Sequence, residues 1–109
     1  MTGISTHVLD AVLGKPAAAV AVRLEKREDG GWTVLSESAT DANGRCSDLA
    51  GNASSGLYRL TFSTGDYLEH HGRTSIYPEI SITFHCSGSE HYHLPLLLSD
   101  NSYTTYRGS

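Results

Sequence analysis

An all-β sandwich of antiparallel sheets is the fold class this sequence predicts, on three observations. Apolar and polar residues alternate in seven or eight short stretches. Turn-forming residues punctuate those stretches at near-regular intervals, and only one stretch has the pattern of a helix. Many short alternating strands without intervening helices close their apolar faces against one another as two stacked sheets.

The elements follow in order. "ISTHVLD" is a first short strand. "GKPA" is a turn, with Pro16 fixing φ. "AAVAVRLEK" places Val20, Val22 and Leu24 on one face, because side chains two apart in a strand point the same way. "EDGG" is a hairpin turn, "WTVLSESAT" the returning strand, and "DANG" another turn. "GRCSDL" suits a short edge strand. In "GLYRLTFS", Leu57, Arg59 and Thr61 oppose Tyr58, Leu60 and Phe62. "GDYLEHHG" is the helix candidate, Asp66 to Gly72, with Thr64 or Asp66 as its cap and Gly72 as its stop. "EISITFHC" aligns Ile80, Ile82 and Phe84, and "EHYHLPLLLS" and "NSYTTYRG" are the last two strands.

At 109 residues the chain is one domain, residues 1–109, with a modest core that oligomerisation would help. A net charge of -4 argues against nucleic acid or an anionic membrane surface as partner. No apolar run approaches a membrane span, and "MTGISTHVLD" lacks the basic-then-apolar pattern of a secretory leader, so a cytoplasmic location is expected. Cys46 and Cys86 lack metal or redox spacing and are expected to be reduced thiols.

Histidine is the chemistry-bearing residue. His91 and His93 share one face of their strand, while Tyr92, Leu94, Leu96 and Leu98 take the other, the interior. The same alternation sets Ser5, His7 and Leu9 opposite Ile4, Thr6 and Val8, so His7 also points outward. From spacing alone three readings stand: a zinc site of His7, His91 and His93, neutral imidazoles serving as general bases, or exposed histidines with no task. His70, His71 and His85 show that histidine is used freely.

Several stretches together resemble one family. "THVLD", "GKPAAAVAVRLE", "DANGR", "TGDY", "YPEI", "HYHLPLLLS" and the terminal "YRGS" are similar to the 5-hydroxyisourate hydrolases, the transthyretin-related enzymes of purine catabolism. The likeness runs over the whole chain, and the ending and histidines separate it from transthyretin itself. Only "DNS", Asp100–Ser102, departs from the usual hairpin sequence.

The resemblance implies a transthyretin-like sandwich of two four-stranded antiparallel sheets, with a short helix after the fifth strand. It implies a homotetramer, a dimer of dimers, with sites in the inter-dimer channel and no cofactor or metal. The implied catalytic residues are His7, Arg45, His93 and Ser109. His91, Tyr106, Arg107 and Gly108 join His7, Arg45 and Ser109 in binding substrate. The implied reaction converts 5-hydroxyisourate to 2-oxo-4-hydroxy-4-carboxy-5-ureidoimidazoline, on the route from urate to allantoin. A histidine would activate water, Arg45 would bind substrate and stabilise charge, and the terminus would orient the reactants. The competing functions are a transthyretin-like carrier and a zinc hydrolase.

Overall fold

The computed structural model describes residues 3–88 and 90–108, apart from the Asp48 side chain. Among the described residues nine strands form two sheets, accompanied by one helix. The first sheet contains β1 (Ile4–Asp10), β2 (Lys15–Pro16), β5 (Arg45–Ala50), β8 (Tyr92–Leu98) and β9 (Tyr103–Thr105). Its order is β2-β1-β8-β9, with β5 sharing the β2 side of β1. The second sheet has the order β4-β3-β6-β7, from β3 (Ala21–Glu28), β4 (Gly31–Ala39), β6 (Gly56–Phe62) and β7 (Ile80–Cys86).

The second sheet is four-stranded and antiparallel, as expected. The first differs in two details. β1 and β8 run parallel, and Lys15–Pro16 is a short edge strand beside Leu9 and Asp10. Period-two alternation is identical in parallel and antiparallel strands, so the pattern carries no direction. Pro16 is tolerated in β2 because an edge strand does not need every backbone donor.

The inward faces are those the alternation selects. Ile4, Val8, Val20, Leu24, Leu60, Phe62 and Leu96 are fully buried, and Val22, Tyr58, Ile80, Leu94 and Leu98 nearly so. Ile82 and Phe84 pack at the margin of this core. The β3–β4 hairpin turns at Asp29 (φ 51°) and Gly30 (φ 79°), the left-handed pair a two-residue turn requires.

The helix α1 spans Thr64–His70, beginning two residues before the expected Asp66. Ser63 is the residue before its first turn and makes no side-chain capping bond. Tyr67 and Leu68 hold the helix to the core instead, which is how most short helices are stabilised. Gly72 lies two residues beyond the last turn at φ 69°.

A buried charge cluster ties this helix to the first sheet. Asp10, wholly buried at the end of β1, accepts from Arg73 at 2.6 and 3.2 Å and from the Tyr67 hydroxyl at 2.9 Å. Arg73 also donates to Asp100 at 2.9 and 2.6 Å, in the "DNS" turn. Burial alone would raise the Asp10 pKa, but hydrogen bonds from Arg73, Leu13 and Tyr67 bring it down to about 2. Burial and the Asp10 carboxylate push Tyr67 up to about 12. Among the described residues no helix is long and apolar enough to cross a membrane.

Candidate active site

The outer face of the first sheet gathers the histidines by register. Ser5 lies opposite His93 and His7 opposite Pro95 across the β1–β8 pair. On the other side of β1, His7 lies opposite Arg45. An isolated bridge extends the pattern from His93 to Gly108. Residues paired across a sheet share a face, so two rows result: Arg45–His7–Pro95 and Ser5–His93–Gly108. Successive same-face rows stand about 7 Å apart. Residues from distant parts of the sequence thus meet because β1 is flanked by both β5 and β8.

Ser5 joins two imidazoles. Its Oγ is 2.8 Å from His93 Nδ1 and 3.0 Å from His91 Nε2. Ser5 itself is buried, His93 is half-buried and His91 is exposed. Among the described residues His93 Nε2 has no hydrogen-bond partner. Burial first, then the positive field of Arg45, His7 and His91, hold the His93 pKa below the ordinary imidazole value. That direction favours the neutral imidazole form of His93.

His7 and Arg45 are placed by the turn Asp41–Gly44. His7 donates from Nε2 to the Asn43 carbonyl at 2.9 Å. Asp41 Oδ1 accepts from the backbone N–H groups of Asn43 (2.8 Å) and Arg45 (3.0 Å). Those two bonds are the main reason the Asp41 carboxyl titrates below the usual range, Arg45 first. Gly44 is required here: φ is 75°, and a Cβ would stand 2.4 Å from the Val8 carbonyl oxygen. The Gly44 carbonyl in turn accepts from Val8 N–H at 2.7 Å, locking the turn to β1. Arg45 is exposed, and its guanidinium has no ion-pair partner among the described residues.

Ser5, Thr6, Arg45, Ser47, His91 and His93 line a cavity of about 260 Å³. His7 is not among the lining residues and lies opposite Arg45 on the same sheet face. Gly108 donates its N–H to the His93 carbonyl at 2.7 Å, and a Cβ there would lie 2.8 Å from His93 Cδ2. The terminal segment is thus stitched to β8, and a side chain at Gly108 would press on the His93 ring. Arg107 takes another direction. It donates to Glu90 Oε1 at 3.0 Å and stacks 4.3 Å over the Tyr92 ring. Tyr106 is exposed, and neither Tyr106 nor Arg107 lines the cavity of the single chain. Ser109 lies outside the described residues.

Five contributors escaped the sequence reading: Ser5, Thr6, Ser47, the Asn43 carbonyl and Asp41. Ser5 shares the outward face with His7 by alternation, and that was the available clue. A backbone carbonyl leaves no mark on sequence. Among the described residues no group of three or more His, Cys, Asp or Glu is arranged to hold a metal ion.

A β-sandwich of two stacked sheets, with a histidine–arginine cluster on the outer face of one, is the transthyretin type of domain carrying a polar site. The chain belongs to the HIUase/Transthyretin family, whose model matches residues 4–108. It is 48% identical to a 5-hydroxyisourate hydrolase of Salmonella dublin, over 97% of this chain and 80% of that protein. It is 42% identical to the one from Caulobacter vibrioides, with both chains covered completely. Among solved structures, the Klebsiella pneumoniae 5-hydroxyisourate hydrolase superposes with TM-score 0.90 at 35% identity over the whole of both chains. Transthyretin from Sparus aurata superposes with TM-score 0.93 at 35% identity, over 97% of this chain and 96% of that one.

Proposed function

We propose that this protein hydrolyses 5-hydroxyisourate to 2-oxo-4-hydroxy-4-carboxy-5-ureidoimidazoline in urate breakdown. The observation that carries the reading is the cavity that gathers Ser5, Arg45, His91 and His93 on one sheet face, with neutral His93 at its base. The names of the most similar relatives support it.

The reaction needs an activated water, a stabiliser for the tetrahedral oxyanion, and a proton for the departing nitrogen. His93 Nε2 takes a proton as the water oxygen bonds to the ring lactam carbonyl carbon. The oxyanion that forms is stabilised by the Arg45 guanidinium, which is permanently charged and exposed toward the cavity mouth. The intermediate collapses, the carbonyl carbon–nitrogen bond breaks, and the proton held by His93 passes to the nitrogen. The new carboxyl group ionises, releasing the second water proton to solvent and leaving a carboxylate. His7, with Nε2 held by Asn43, keeps Nδ1 for a substrate oxygen or nitrogen. The carboxy-terminal segment from Tyr106 to Ser109 completes the binding wall. None of these steps calls on a cofactor.

The carrier reading draws on the likeness to transthyretin. A carrier of an apolar ligand would line this face with aliphatic side chains, whereas serine, histidine and arginine line it here. We also propose a homotetramer, because the cavity of the single chain is open and Val12, Leu13, Tyr103 and Tyr106 are exposed apolar side chains. A partner subunit facing this sheet would enclose the site. The test is consumption of freshly generated 5-hydroxyisourate by the purified protein. Consumption well above the spontaneous rate, undiminished by chelators, supports the reading. Consumption at the spontaneous rate defeats it, and loss of activity with chelator restored by zinc favours a metal hydrolase.

A further inference from the structure

We propose that Ser5 is a positioning residue whose hydroxyl sets the tautomer of His93, in relay with His91, so that the His93 Nε2 lone pair faces the cavity. The inference rests on the hydrolase reading, which requires that lone pair. It goes beyond that reading by assigning a task to two side chains that do not touch the reacting atoms.

Proton counting carries it. Ser5 Oγ lies within hydrogen-bond reach of His93 Nδ1 at 2.8 Å and His91 Nε2 at 3.0 Å. One hydroxyl has a single proton to donate and must accept in its other bond. Two arrangements therefore exist when both rings are neutral. In the first, His93 Nδ1–H donates to Ser5 Oγ, and the Ser5 hydroxyl donates to His91 Nε2. The His93 Nε2 lone pair is then free, and the His91 proton sits on Nδ1. In the second, His91 Nε2–H donates to Ser5, and Ser5 donates to His93 Nδ1. The His93 proton then occupies Nε2, and the base is blocked. The two rings are thus coupled through one rotating hydroxyl.

Base catalysis selects the first arrangement. Ser5 is 6% exposed and sits directly opposite His93 in the β1–β8 register, so its hydroxyl is shielded from competing water. The His91 ring turns its Nδ1 and Cε1 toward Gly3, where a Cβ would stand 2.8 Å from Nδ1, so glycine at that position leaves room for a proton on Nδ1. On taking a second proton at Nε2, His93 still donates from Nδ1 to Ser5, so no group has to turn during the reaction. His91 then acts through Ser5 as the acceptor that keeps the hydroxyl pointed away from His93.

The test reads the tautomer directly. Nitrogen-15 and carbon-13 imidazole spectra of the full-length protein are recorded without substrate, at a pH where both rings are neutral. The wild-type protein is expected to hold both His93 and His91 with the proton on Nδ1. In Ser5→Ala the His93 proton is expected to move to Nε2, the form a neutral histidine side chain favours in water. That variant should lose about 10- to 100-fold in kcat with little change in KM, since the base is mispopulated rather than removed. Ser5→Thr, which restores the hydroxyl, should recover both the Nδ1–H signature and most of kcat. A wild-type His93 protonated on Nε2, or a Ser5→Ala spectrum identical to wild type, overturns the assignment. Because the spectra need no substrate, they decide it separately from hydrolysis. Absence of hydrolysis by the wild-type protein would defeat the catalytic reading instead.

Discussion

At the scale of single residues, the proposed base catalysis depends on His93 being neutral. Burial and the nearby positive charges depress its pKa. A base must be unprotonated, so activity rises with pH through that pKa and is flat above it. The acid limb of kcat/KM is expected to lie below pH 6.5, the ordinary imidazole value. A pH profile of wild-type and Arg45→Gln proteins checks this. Removing the Arg45 charge should move the limb upward as well as weaken substrate binding, whereas an unmoved limb would detach it from His93. Alternation placed His93 and His7 on an outward face, because period two fixes which side chains share a face, and the family resemblance singled them out as site residues. The sequence could not disclose Ser5 as the link, since a serine on an outward face is unremarkable until its neighbour strand is known.

At the scale of elements, the site is held by one turn and one chain end. Gly44 stands at φ 75° with no room for a Cβ against the Val8 carbonyl. Gly44→Ala is expected to cost about 1–3 kcal/mol in stability. It should lower activity further than stability explains, because the turn sets Arg45 and the His7 contact. Thermal melting beside steady-state kinetics measures both, and a fully active Gly44→Ala protein would show the turn to be incidental. The chain end is the second element. Deleting residues 106–109 removes the Gly108 bond to His93 and the Arg107 contacts with Glu90 and Tyr92. The core lies elsewhere, so the truncated protein should remain folded with the same size-exclusion profile while losing most activity. Full activity would remove the terminus from the site. Helix and strand positions were legible from turn residues and alternation. The parallel β1–β8 pairing was not, because pairing direction depends on the path of the chain rather than on local pattern.

At the scale of the whole molecule, Asp10, Tyr67, Arg73 and Asp100 fasten the helix, the end of β1 and the last hairpin turn together. Asp10 titrates at about 2 against an ordinary value of 3.8. A depressed folded pKa means that its stabilisation is complete above pH 3.8 and is lost as pH falls toward about 2. The shift corresponds to on the order of 2 kcal/mol. Urea unfolding of Asp10→Asn should show lower stability at pH 7 and a shallower decline across that acid window than wild type. Equal slopes would mean that other carboxylates govern acid unfolding. This cluster was invisible in sequence: Asp10, Arg73 and Asp100 are distant in the chain, and "DNS" read only as a variant turn.

The central claim is that the His93 cavity hydrolyses 5-hydroxyisourate. The most direct measurement follows the decay of freshly generated 5-hydroxyisourate with wild-type and His93→Ala proteins, each matched for circular dichroism and melting temperature. Removal of a general base should lower kcat by about 10²- to 10⁴-fold while leaving the fold intact. Wild-type acceleration that falls by this amount in His93→Ala is the predicted result. Equal rates for the two folded proteins, whether both fast or both spontaneous, would contradict the account.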